Sequence, residues 1–186
     1  MDLEMHQPIP ASSPADPVLS AAVDDALDFA EARVARAVRD AEIRFPVDYP
    51  SHYPVFTVSS GPGVGRWIYG PNTDWRSGFF PGLLWLLYRR TGREAWATNA
   101  RIWTAGIGAL KNRPLDHDLG YRFCTSFGNA YLLHDDASDP GGHQRRAAGE
   151  VLRAAAATLD LRFDQAGIPA CALRAGSARR AARSGS

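Results

Sequence analysis

The sequence predicts an all-α protein. Apolar residues recur at spacings of three and four in several segments, which is the period of a helix with one buried face. Glycine and proline punctuate these segments, and no segment shows the apolar–polar alternation of a convincing strand. These observations predict five helices joined by loops of unequal length and composition.

The first predicted helix begins at Pro17, after a flexible, proline-rich arm over residues 1–16. Its apolar residues recur from Leu19 to Val38, with aspartates early and arginines late, as the helix dipole prefers. The following segment, from Phe45 to Trp75, is rich in proline, glycine and aromatic residues. We interpret it as a long loop, a feature that in a compact domain is more often functional than idle.

Four further helices are predicted along the chain. They cover about residues 78–90, 94–111, 118–134 and 143–161. The second of the five helices should end at Gly92, which suits a left-handed cap. On that helix Phe80, Leu84 and Leu87 form one apolar stripe and are predicted core residues.

Composition limits the classes of partner. The chain has 186 residues, of which 45% are hydrophobic and 22% charged, and its net charge is +1. Such a balance gives no basic surface for nucleic acid and none for an anionic membrane. The longest apolar run, Phe79 to Tyr88, is too short to span a bilayer. We therefore predict no nucleic-acid partner and no membrane partner.

The cysteines and the first residues predict a cytoplasmic protein. Cys124 and Cys171 fit no metal-ligand spacing and form no disulfide framework, so a reducing compartment is the default. The first residues also lack the basic start and apolar core of a signal peptide.

The chemistry-bearing residues cluster in two loops. The loops before Phe79 and Leu119 contain Trp, Asp, His and Gly, whereas the other helix connections are plain. If successive helices pack antiparallel, these two loops lie together on one face. Function usually resides on loops that a rigid scaffold presents.

The segment from Asp116 to Asp118 has two interpretations. In the first, Asp118 is an ordinary N-cap, His117 a loop residue and Asp116 a solvated charge. In the second, Asp118 and His117 face a shared cleft and take part in proton transfer. A helix N-terminus favours a charged carboxylate, so Asp118 suits the role of base or partner better than that of proton donor.

Trp75 likewise has two interpretations. It lies in the loop before the second helix and is either a packed aromatic residue or a flat face on which a sugar ring stacks.

Two ordered motifs resemble a known family. The stretch DWRSGFFPGLLWLLYRRTG and the stretch HDLGYRF, separated by a helix containing RIWTAGIGALK, resemble the N-terminal half of the unsaturated glucuronyl hydrolases, glycoside hydrolase family 88. The resemblance covers about Val18 to Pro169. It implies an (α/α)6 toroid, of which this chain would hold about five of the twelve helices.

The resemblance also implies a reaction. These hydrolases act on lyase-derived oligosaccharides that end in a uronic acid with a C4–C5 double bond. They protonate C4 and add water at C5, and the hemiketal product opens to release the sugar, with no metal or organic cofactor. By motif, Asp118 matches one of two catalytic aspartates, His117 a substrate-contacting histidine and Trp75 a sugar-stacking tryptophan. Arg76 stands where the family is expected to have a small residue.

The end of the chain departs from the family pattern. The second catalytic aspartate should follow shortly after Pro169, but residues 170–186 are small, basic and without pattern. We interpret them as a disordered tail that a frameshift or truncation produced, after a partial toroid domain over residues 17–169. This predicts an inactive fragment that self-associates through exposed apolar faces. A non-catalytic helical module that binds sugars or packs against a partner, or a relative acting on unsaturated galacturonyl substrates, are the alternatives.

Overall fold

The structure is a computed structural model that describes residues 17–133, 139 and 141–161. The predicted arm over residues 1–16 and the predicted tail over residues 170–186 lie outside the described residues. The division of the chain into arm, domain and tail therefore stays a prediction.

All five predicted helices are present. The described elements, in chain order, are α1 (Pro17–Arg44), β1 (His52–Thr57), β2 (Trp67–Pro71), α2 (Phe79–Thr91), α3 (Glu94–Gly108), α4 (Leu119–Phe123), a π-helical segment (Cys124–Gly128), α5 (Asn129–Leu133) and α6 (His143–Asp160). The predicted cap is confirmed, because Gly92 adopts a left-handed φ of 66° and its N–H bonds to the carbonyl of Tyr88. No described helix combines the length and apolar character that crossing a membrane requires.

The segment between α1 and α2 corrects the prediction of a long loop without strands. β1 and β2 pair antiparallel, with Tyr53 opposite Gly70 and a register irregularity after Pro54. Proline in this segment argued against strands, but a two-stranded ribbon consists of edges, where a residue without an N–H donor is tolerated. Aromatic and β-branched residues supply the strand preference that sequence reasoning undervalued.

The fourth helix is not regular along its length. α4, the π-helical segment and α5 follow one another directly, so the predicted helix over residues 118–134 contains a π-bulge over Cys124–Gly128. Such bulges are rare and often lie at functional sites. Here the bulge follows α4, at whose start His117 and Asp118 lie.

The core lies between α2 and α3, and it also includes residues of α1, β1, α4, α5 and α6. The predicted stripe is confirmed, since Phe80, Leu84 and Leu87 are all buried. The largest fully buried side chains also include Trp85, Trp103 and Tyr53. Their polar atoms are satisfied: Trp85 donates to Thr104 Oγ1 at 3.0 Å, and Tyr53 Oη donates to the carbonyl of Trp103 at 2.8 Å.

Some apolar side chains remain on the surface. Leu83 and Leu86 on α2 are 42% and 51% exposed, and Leu132 on α5 is 70% exposed. Exposed apolar patches favour association. The predicted self-association is consistent with this surface but stays a prediction.

Candidate active site

The two chemistry-bearing loops meet, as the antiparallel arrangement predicted. The link is Arg122 on α4, whose Nε donates to the carbonyl of Asp74 at 3.0 Å and whose Nη2 donates to the carbonyl of Thr73 at 2.6 Å. Its Nη1 donates to Oδ1 of Asp116 at 3.0 Å, and Nη2 also bonds Oδ2 of that carboxylate. One guanidinium therefore joins the loop before α2 to the loop before α4.

Asp118 and His117 lie side by side at the start of α4. Nε2 of His117 is 3.4 Å from Oδ1 of Asp118, and the two side chains are 71% and 22% exposed. Asp118 occupies the N-cap position, but its side chain makes no capping hydrogen bond. Asp118 therefore takes the N-cap position that the first interpretation gave it, but its carboxyl does not cap the helix.

Asp116 is not the solvated charge that the first interpretation of this segment assumed. Its carboxylate forms an ion pair with Arg122, and its Oδ1 also accepts the backbone N–H of Asp118 at 2.9 Å. Asp116 thus satisfies the backbone N–H of Asp118 at the start of α4. The Asp118 carboxyl makes no bond to that helix end and lies beside His117.

The loop before α2 and the helices α2 and α4 together form an aromatic surface. Trp75 contacts Phe79 and Tyr121 with both ring centroids 6.0 Å away, and Phe79 and Tyr121 are 6.2 Å apart. All three rings are between 40% and 55% exposed. Tyr121 is on α4, three residues after Asp118, and its backbone N–H donates to the carbonyl of Asp118 at 3.0 Å. We call Trp75, Phe79 and Tyr121 the aromatic surface.

Phe79 and Tyr121 were missed as candidate site residues. Sequence reasoning treated the aromatic residues of α2 as core, although Phe79 is one position away from the buried stripe and four positions after Trp75. Tyr121 lies three positions after Asp118 on the helix predicted over residues 118–134, a spacing that places two side chains on one helix face. Both signals were available in the sequence.

Arg76 lies between the aromatic surface and the hairpin that β1 and β2 form. Its guanidinium lies 5.7 Å from the ring centroid of Trp75 and 5.0 Å from that of Phe56. Its Nε and Nη2 donate to the carboxylate of Asp74 at 2.9 and 2.8 Å, and its backbone N–H also donates to Oδ1 of Asp74. These hydrogen bonds from Arg76 hold the pKa of Asp74 below its usual range.

The Asp74–Arg76 pair predicts a pH-dependent contribution to stability. A carboxyl whose pKa is lower in the folded state stabilises the protein above its unfolded pKa, about 3.9, and loses that contribution as pH falls through the folded value. We expect Asp74→Asn to lower the free energy of unfolding at pH 7 by less than about 1 kcal/mol, because the pair is partly exposed. Urea unfolding at pH 7 and pH 3 should show the difference between wild type and variant shrinking in acid. A difference that stays constant between the two pH values would refute the linkage.

The described residues suggest no metal site. No three His, Cys, Asp or Glu side chains among them come together as a cation would require. The carboxylates of Asp74 and Asp116 are instead occupied by arginines.

Comparison with known proteins gives partial matches to one family. The unsaturated glucuronyl hydrolase of Formosa agariphila is 32% identical over 111 residues, which are 57% of this chain and 27% of that protein. The unsaturated glucuronyl hydrolase of Bacillus sp. strain GL1 is 33% identical over 79 residues, which are 41% of this chain and 21% of that protein. A scan against models of known protein families finds no match.

Comparison of the structure with solved structures also gives an unsaturated glucuronyl hydrolase. The structure is similar to a crystal structure of an unsaturated glucuronyl hydrolase specific for heparin, with a TM-score of 0.54 and 28% identity over 76% of this chain and 34% of that one. The described helices thus correspond to part of an α/α toroid. The matched region spans about a quarter of the length of the curated relatives. The chain therefore matches unsaturated glucuronyl hydrolases over part of their length.

Proposed function

We propose that the aromatic surface, together with His117 and Asp118, binds the terminal unsaturated uronic acid of lyase-derived oligosaccharides, as part of a site of the unsaturated glucuronyl hydrolase type. The observation that carries the proposal is one juxtaposition. The aromatic surface includes Tyr121 on α4, and the start of α4 carries a histidine–carboxyl pair whose carboxyl does not cap the helix. Sugar rings stack on aromatic faces, and carboxyl and imidazole groups bind sugar hydroxyls.

Each residue has a proposed role in that site. Trp75 stacks on a sugar ring, and His117 contacts the substrate. Asp118 acts as base or partner in the hydration of the C4–C5 double bond, in which a proton is added to C4 and water to C5. The partial matches to enzymes named for this substrate class support the assignment.

Hydration of the double bond requires a proton donor, and the carboxyls of the described site are poorly suited to that role. The loops before α2 and α4 carry two further carboxyls, but Asp116 is paired with Arg122 and Asp74 with Arg76. Both carboxylates are therefore engaged by an arginine, and the pKa of Asp74 lies below its usual range, which opposes proton donation. This observation favours a second candidate function, in which the chain binds the unsaturated sugar without hydrating it.

Calorimetric titration of the purified chain with an unsaturated lyase-derived disaccharide tests the binding. We expect Asp118→Asn to weaken the affinity about fivefold, the factor that one hydrogen bond is worth. Trp75→Ala should weaken it about tenfold through the lost stacking surface. Phe29→Ala is the control, since Phe29 is an aromatic residue on α1 that is 62% exposed, against 44% for Trp75.

The ultraviolet absorbance of the unsaturated uronide separates the two candidate functions. Absorbance that decays with wild type and persists with Asp118→Asn assigns the hydration reaction to the chain. Binding without decay assigns the non-catalytic function. If the disaccharide does not bind and its absorbance does not change, both candidate functions are wrong.

A further inference from the structure

Arg122 is a charged residue in an apolar position. Only 1% of its surface is exposed, and its neighbours on the inner side of α4, Leu119 and Phe123, are buried apolar residues. Burying a guanidinium is costly unless hydrogen-bond acceptors surround it. Arg122 has these acceptors: two backbone carbonyls and both oxygens of Asp116.

The acceptors belong to the two halves of the candidate site. The carbonyls of Thr73 and Asp74 immediately precede Trp75 in the chain. The carboxylate of Asp116 accepts the N–H of Asp118 as well as the guanidinium. A continuous path of hydrogen bonds thus runs from the backbone beside Trp75, through Arg122 and Asp116, to the backbone of Asp118.

We propose that Arg122 is a positioning residue that fixes the separation between the aromatic surface and the Asp118 carboxyl. The proposal rests on the proposed function of this face as an uronide site. Arg122 does not touch the sugar and acts through the two loops that do. The planar guanidinium suits this role because its five donors point in fixed directions, whereas a lysine ammonium offers three donors at a single point.

A purely structural role makes a different prediction from a positioning role. If Arg122 only stabilised the fold, folded protein without it would keep the same geometry at the site, and Asp118 would contribute as much to sugar binding as before. If Arg122 positions the loops, the contribution of Asp118 depends on Arg122. A double-mutant cycle on affinity measures this dependence.

The cycle uses the full chain and an unsaturated lyase-derived disaccharide. We expect Asp118→Asn to weaken binding about fivefold in wild type and less than about twofold in the Arg122→Lys background. Arg101→Lys is the matched control, because Arg101 forms an exposed ion pair with Glu94 on α3. In the Arg101→Lys background the fivefold effect should persist. An undiminished effect of Asp118→Asn in folded Arg122→Lys protein would overturn the proposal.

Hydrogen exchange provides a readout without any ligand. In Arg122→Lys, amides in residues 72–78 and 115–120 should exchange at least about tenfold faster, while those of α3 keep the wild-type rate. Unchanged loops, or equal acceleration in α3, would overturn the positioning role. If wild type does not bind the disaccharide, the proposed function is wrong, and exchange still decides whether Arg122 holds the loops. Asp116→Asn, which keeps the side-chain shape, provides both readouts if the lysine variant does not fold.

Discussion

Gly78→Ala should lower the free energy of unfolding by about 3 kcal/mol, because overpacking against rigid backbone is among the most costly of small substitutions. A Cβ at Gly78 would lie 2.3 Å from the carbonyl oxygen of Arg122 and 2.6 Å from Oγ1 of Thr125. The backbone itself would accept alanine, since Gly78 has an ordinary right-handed helical conformation with φ of −71°. The expected loss therefore reports the contact between α2 and α4 and not a strained dihedral angle.

Urea unfolding of Gly78→Ala and Gly120→Ala side by side checks this expectation. Gly120 lies on α4, and a Cβ there would have no atom of a neighbouring element within 4 Å, so alanine should be neutral or stabilise by up to about 1 kcal/mol through helix propensity. A Gly78→Ala protein within about 0.5 kcal/mol of wild type would show that the helices separate at little cost. The contact matters for the site because Gly78 lies between Trp75 and Phe79 in the loop and helix that carry the aromatic surface.

Much of this arrangement was predictable from local patterns. The three-and-four spacing of apolar residues in α2 predicted its buried stripe, and Gly92 predicted its end, because both features depend on residues close together in the chain. The meeting of the two loops was predictable from the antiparallel packing of successive helices. Trp75, His117 and Asp118 were singled out by their loop positions and by the resemblance, and their roles remain proposals.

The features that sequence reasoning missed depend on distant residues. Arg122 bonds to carbonyls 48 and 49 positions away, and no local pattern specifies which backbone atoms will lie opposite a helix. A signal did exist, because an arginine between Leu119 and Phe123 is out of place on an apolar helix face. The hairpin was missed for a related reason: Pro54 disfavours a strand locally, and only the pairing with β2 shows that its missing donor is harmless.

Gly106→Ala should also cost about 3 kcal/mol, and Tyr53→Phe should remove most of that cost. A Cβ at Gly106 would lie 2.3 Å from Oη of Tyr53 but 3.5 Å from Cζ, so the clash is with the hydroxyl alone. Tyr53 is fully buried, and its hydroxyl donates to the carbonyl of Trp103, so the ring cannot move aside freely. Tyr53→Phe by itself should cost about 1 kcal/mol for the lost hydrogen bond.

The effects of the two substitutions on the free energy of unfolding should therefore not be additive. In the double variant the new methyl group occupies the space that the hydroxyl leaves, and we expect a total cost near that of Tyr53→Phe alone, which gives a coupling of about 2 to 3 kcal/mol. Denaturant unfolding of the four proteins measures this coupling, and Gly120→Ala combined with Tyr53→Phe is the additive control. A double variant that loses about 4 kcal/mol, the sum of the single effects, would mean that the methyl group meets backbone and not the Tyr53 hydroxyl. Relief by Tyr53→Phe would instead establish that the Tyr53 hydroxyl is the group that limits the approach of β1 to α3 at Gly106.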